Sequence, residues 1–193
     1  MRIKTFTGNF SEIGKQQGKI YRKNGMSFGG VKINPELYHN QLKIYQKFYP
    51  ELLEEFEGMA EAGTFDKDKL IYHFIAAEMA CHKDRFGPKK ACTIFGLKKD
   101  GKLFVGRNYD WLPQTQEYFQ VYAVRNPHRS SFIALTDGGY GSEAGTNIEN
   151  LFYNVDDAIN DKGLFVGLTF AYNNNWSYQY LRRVFFKTNL SLT

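Results

Sequence analysis

At 193 residues, with 42% hydrophobic and 17% aromatic content, the chain can bury a sizeable core, so one domain or two tightly joined layers is expected. The formal charge of +5 is scattered, with no basic run longer than two residues and no phosphate-binding stripe of cations and stacking aromatics, which argues against a nucleic-acid partner. Two cysteines, Cys81 and Cys92, suggest no disulfide framework, and neither an apolar run near the roughly 18 residues of a membrane helix nor a secretory leader pattern is visible, so a cytoplasmic, thiol-permissive location is expected, with no membrane partner.

The first element follows Phe6-Thr7-Gly8. Ser11 is read as an N-cap, and Ile13, Gln17 and Ile20 fall on one helical face. Gly14 and Gly18 would be costly in a free helix, so their spacing predicts close packing of this helix against another backbone. Residues 25–34 read as a Gly-rich connector, after which Pro35 opens a long helical pattern through Leu37, Ile44, Phe48, Leu52, Phe56 and Met59. Pro50 should break or kink it, because the ring removes an internal hydrogen bond. Glu51, Glu54, Glu55 and Glu57 suit the positive end of the restarted helix and are read as its solvated face. Asp66 can cap a further amphipathic helix that runs through Leu70, Ile71, Phe74 and Ile75 to about His82. His73 and His82 have no partner at metal-ligand spacing and are read as structural.

A charged loop, residues 83–90, then leads into Ala91-Cys92-Thr93-Ile94-Phe95-Gly96, the Asp100-Gly101 turn, and Leu103-Phe104-Val105-Gly106-Arg107-Asn108-Tyr109-Asp110-Trp111. Apolar residues of high strand propensity flank a dipeptide suited to positive φ, which predicts a hairpin. Antiparallel pairing brings Cys92 beside Arg107 and Asp110, so a thiol, a cation and an acid share one edge. A guanidinium stabilises a thiolate. If the bond before Cys92 were cut, the freed α-amino group, with a pKa of about 8, could serve as base for its own thiol, and Asp110 could hold the ammonium. The residues alone also allow a buried, inert thiol beside a surface ion pair.

Beyond the hairpin, Phe119 to Val124 and Ser131 to Leu135 read as strands around a Pro127-His128-Arg129 turn. Residues 136–150 form a Gly, Ser and Asn loop with no phosphate-binding signature. Asn160-Asp161-Lys162-Gly163 reads as a turn into a buried strand from Leu164 to Phe170.

The Cys-Thr strand start, the Lys-Asp-Gly-Lys turn and Gly-Arg-Asn-Tyr-Asp-Trp together resemble the nucleophile hairpin of the N-terminal-nucleophile (Ntn) hydrolases related to choloylglycine hydrolase and penicillin V acylase. They resemble most the acyl-coenzyme A:6-aminopenicillanic acid acyltransferase branch, whose opening glycine-spaced helix is similar to residues 11–21. Asn160-Asp161-Lys162-Gly163-Leu164 resembles a second element of that family. The resemblance implies an α+β fold, the four-layer αββα sandwich, here incomplete, with residues 1–91 as a helical propeptide and 92–193 as the nucleophile-bearing part. It implies self-cleavage at Ala91-Cys92, with Cys92 as nucleophile and base, Arg107 supporting the thiolate, Asp110 orienting the α-amino group, and Thr169 at the oxyanion position where the bile-salt branch has Asn. Family members often carry Gly where Ala91 stands.

What this implies is an amidohydrolase or acyltransferase acting on linear amide or acyl-thioester bonds, with an acyl amide or acyl-coenzyme A as substrate and no metal or organic cofactor. The resemblance covers about half of a family precursor, so a second chain or a homo-oligomer would complete the sandwich. The competing expectation is a truncated, inactive homologue, or an α/β module that binds a partner through an unpaired sheet edge.

Overall fold

The computed structural model describes residues 3–80, 92–110, 119–136 and 155–167. In order they form β1 (Lys4–Thr7), α1 (Phe10–Lys23), α2 (Pro35–Phe48), α3 (Glu51–Gly63), α4 (Lys67–Ala80), β2 (Cys92–Lys99), β3 (Lys102–Tyr109), β4 (Gln120–Arg125), β5 (Phe132–Thr136), β6 (Asp157–Asn160) and β7 (Phe165–Gly167). The fold is α+β, with the helices first and most strands later.

Local chemistry sets the helix ends. The first helix is capped not by Ser11 but by Asn9, whose Oδ1 accepts from the Glu12 N–H while Glu12 Oε2 accepts from the Asn9 N–H. This reciprocal box satisfies two of the free amides of the first turn, which Ser11, already inside the helix, cannot do. Pro50 ends the long helical pattern, giving α2 and α3 as separate helices. Asp66 caps α4, its Oδ1 accepting from the Lys69 N–H at 3.0 Å.

The glycine spacing of α1 finds its reason in α3. A Cβ on Gly14 would overlap the Glu55 carbonyl, one on Gly18 the Met59 carbonyl, and one on Gly58 the Ser11 carbonyl, so the two backbones touch. Around this pair the helices bury Tyr21, Tyr45, Phe56, Met59, Leu70 and Phe74. The connector contributes too, because Met26 and Phe28 are buried in the same cluster. Phe28 packs edge-on to Phe65 and lies against His73.

Among the described residues five strands form one sheet in the order β1-β4-β5-β6-β7, with β1 parallel to β4 and the other neighbours antiparallel. Residues 1–91 thus contribute an edge strand as well as helices. Alternation gives the sheet two faces. Phe6, Tyr122, Val124, Phe132, Ala134 and Ala158 form the face that packs with Ile13 of α1. Asp157 and Gly167, paired with each other, lie on the opposite face. The stretch before the Asn160-Asp161-Lys162-Gly163 turn is itself a strand, β6, and within the described residues the following strand is short and only partly buried.

Among the described residues the β2–β3 hairpin is a separate two-stranded sheet. Asp100 and Gly101 take φ of 51° and 74°, the left-handed pair that a two-residue hairpin turn requires. Cys92, Ile94 and Gly96 share one face with Tyr109, Arg107 and Val105, their respective partners. This face meets the Asp157 side of the large sheet: Arg107 pairs with Asp157, and a Cβ on Gly167 would lie 2.7 Å from Ile94 Cδ1. Helices, large sheet and hairpin are therefore stacked in that order.

Candidate active site

The hairpin register places Cys92 opposite Tyr109, with Arg107 one diagonal step away on the same face. Cys92 is a free, partly exposed cysteine at the open end of the hairpin. Arg107 is drawn inward by two acceptors. Its Nε donates to Asp157 Oδ1 at 2.8 Å, and the guanidinium also donates to the Cys92 sulfur. Both charged side chains are largely hidden, at 11% exposure for Arg107 and 6% for Asp157. Burial alone would lower the Arg107 pKa, but the hydrogen bonds and charges of Asp157 and Cys92 outweigh it, so the guanidinium is held above its ordinary range. The cation stays charged throughout the working pH range.

Two further contacts fix the guanidinium plane. Arg107 Nη1 donates to the Asn108 carbonyl, and the guanidinium carbon lies 4.8 Å from the Tyr109 ring centroid. Tyr109 is in turn buttressed edge-on by Phe119, at 5.2 Å between centroids. The cation is thus held by a carboxylate, a carbonyl and an aromatic face, and presents its remaining donor capacity to the thiol.

Of the residues singled out in the sequence, the structure brings Cys92 and Arg107 together. Asp110 follows the Cys92–Tyr109 pair at the same open end, and its Oδ1 accepts from Asn108 Nδ2 at 3.0 Å. Ala91 and Thr169 lie outside the described residues, as do Cys81, His82 and the 83–90 loop. Asp157 is the participant that sequence reasoning passed over. It is 50 residues from Arg107, so no local spacing could announce it. The signal that existed was indirect: Arg107 falls on the same alternating face of its strand as Leu103, Val105 and Tyr109, and an inward cation needs a counter-charge.

Away from this cluster, His73 is buried in the helical core, and burial lowers its pKa to about 4. Among the described residues no group of His, Cys, Asp and Glu could hold a metal ion, and no helix is long and apolar enough to cross a membrane. No protein-family model matches the chain, and no curated protein matches its sequence.

Proposed function

We propose that the chain is a cysteine Ntn amidohydrolase or acyltransferase that acts on a linear amide or acyl thioester after cutting its own Ala91–Cys92 bond. One observation carries this reading: a partly exposed thiol opens a hairpin strand against a guanidinium that a buried carboxylate holds in place. The stacking of helices, sheet and hairpin supports an αββα sandwich of which these are three layers.

In self-cleavage the Cys92 thiol gives up its proton and Sγ adds to the Ala91 carbonyl carbon. The tetrahedral intermediate collapses as the C–N bond breaks and the Cys92 nitrogen takes up a proton, leaving a free α-amine and an Ala91 thioester. Water adds to the thioester, releasing the Ala91 carboxylate and restoring the thiol. In turnover that amine accepts the thiol proton, Sγ takes the substrate acyl group as a thioester, and the leaving amine or thiol departs with the proton. Water then hydrolyses the acyl-enzyme, or an acceptor amine takes the acyl group. Arg107 supports the thiolate, Asp157 positions Arg107, Asp110 orients the new ammonium, and Thr169 or a neighbouring backbone N–H meets the oxyanion.

Intact mass spectrometry of freshly purified protein beside Cys92→Ala tests the proposal. Two fragments, one ending at Ala91 and one beginning at Cys92, are expected from the wild type, and a single uncut chain from the variant. An uncut chain in both would overturn self-processing.

A second reading, a noncatalytic module that takes up a partner protein on the hairpin, is favoured by one observation. The hairpin face away from Cys92 exposes Phe95 (62%), Leu97 and Phe104, which is unusual for apolar side chains clustered on one small sheet. Under that reading Cys92→Ala leaves every measured property except stability unchanged.

A further inference from the structure

Helix α3 carries Glu51 and Glu55 one turn apart, and both meet the turn between β4 and β5. The outer contact is an ion pair, with Arg129 Nη2 2.7 Å from Glu51 Oε1. One turn further along, Glu55 is only 2% exposed. It lines a cavity of about 10 Å³ together with Asn126 and Ser130, both also more than nine-tenths buried. Phe10, Ile13 and Phe132 supply apolar walls.

A space of this size is about one water across, and water occupies such a space when two to four polar groups face it. Asn126 adds a second, independent observation. Its Oδ1 accepts from the His128 N–H at 2.9 Å, which fixes the amide plane, while its Nδ2 is buried with no acceptor. A buried amide donor without a partner is costly, and such groups are nearly always satisfied by protein or by ordered water.

We propose that this cavity is a binding site for one ordered water molecule. The water accepts from Asn126 Nδ2 and donates to the Glu55 carboxylate and the Ser130 hydroxyl oxygen. Larger ligands are excluded by the volume. The water stitches the helical layer, which precedes Cys92, to a sheet turn that follows it. This inference is independent of the catalytic reading.

Nuclear Overhauser spectroscopy on the full-length wild-type chain tests it. Cross-peaks between water and the Asn126 side-chain amide protons are expected, with the sign of a water that stays bound longer than the protein tumbles, and they should be lost in Asn126→Leu. Absence of such cross-peaks in folded wild-type protein would overturn the proposal, whatever the variant does. A high-resolution crystal structure gives a second measurement. A density peak within hydrogen-bond distance of Asn126 Nδ2, Glu55 and Ser130 is expected, while Asn126 Nδ2 bonded directly to Glu55 with no such peak would refute the site.

Discussion

Arg107 depends on what surrounds it. A guanidinium this hidden is tolerable only because Asp157 and Cys92 accept from it, and removing one partner of a buried pair leaves the other charge uncompensated. Asp157→Asn keeps the shape and deletes the charge. It should cost about 3 kcal/mol of stability, read as a lower urea midpoint. By letting the guanidinium drift from the thiol, it should also slow the proposed self-cleavage about hundredfold, followed by mass spectrometry over time. A variant that processes at the wild-type rate would show that Asp157 does not position Arg107. His73 supplies a pH prediction. Its imidazole titrates at 6.5 when unfolded and at about 4 when folded, so between these values the unfolded chain holds the extra proton. The associated stability is complete above about pH 6.5 and falls as pH drops toward 4, by on the order of 3 kcal/mol in total. His73→Phe should flatten that part of the slope in urea midpoints measured from pH 7 to 4.5. Parallel slopes in the two proteins would contradict the assignment.

Among the elements, the α1–α3 contact shows backbone approach overriding helix propensity. Glycine costs a helix about 1 kcal/mol relative to alanine, yet Gly14, Gly18 and Gly58 each face a carbonyl oxygen where a methyl has no room. Gly18→Ala should therefore destabilise by about 3 kcal/mol despite its better intrinsic propensity. The opposite sign in a denaturation curve would mean that the helices can separate at little cost. The hairpin behaves differently, since its Asp100-Gly101 turn and paired strands are specified within eighteen residues, while its docking onto the large sheet brings together residues distant in the chain, Arg107 with Asp157 and Ile94 with Gly167.

Taken whole, the molecule interleaves its two halves. Strand β1 adds to β4 in parallel, Phe6 and Ile13 sit in one core with Tyr122, Val124 and Phe132, and Arg129 reaches Glu51. Cleavage before Cys92 would leave all of these contacts intact. The two fragments should therefore co-elute in native size-exclusion chromatography and separate only in denaturant. Separation of the fragments under native conditions would show that the covalent link, not the shared sheet and core, holds them together.

Elements whose cause is local were legible from the order of residues alone. Asp100-Gly101 dictates a positive-φ turn, Pro50 divides two helices, Asp66 offers a capping oxygen, and the Gly14–Gly18 spacing demands a close neighbour, because each effect acts within one turn or one hairpin. The register that brings Cys92 to Arg107 follows from the same hairpin. Other features were set only by tertiary packing. Glu55 left the solvated acidic face because α1 and the β4–β5 turn close over it. Asp157 became the partner of Arg107 because two sheets meet there. Charge compensation across 50 residues is a property of packed layers, and no spacing along the chain encodes it.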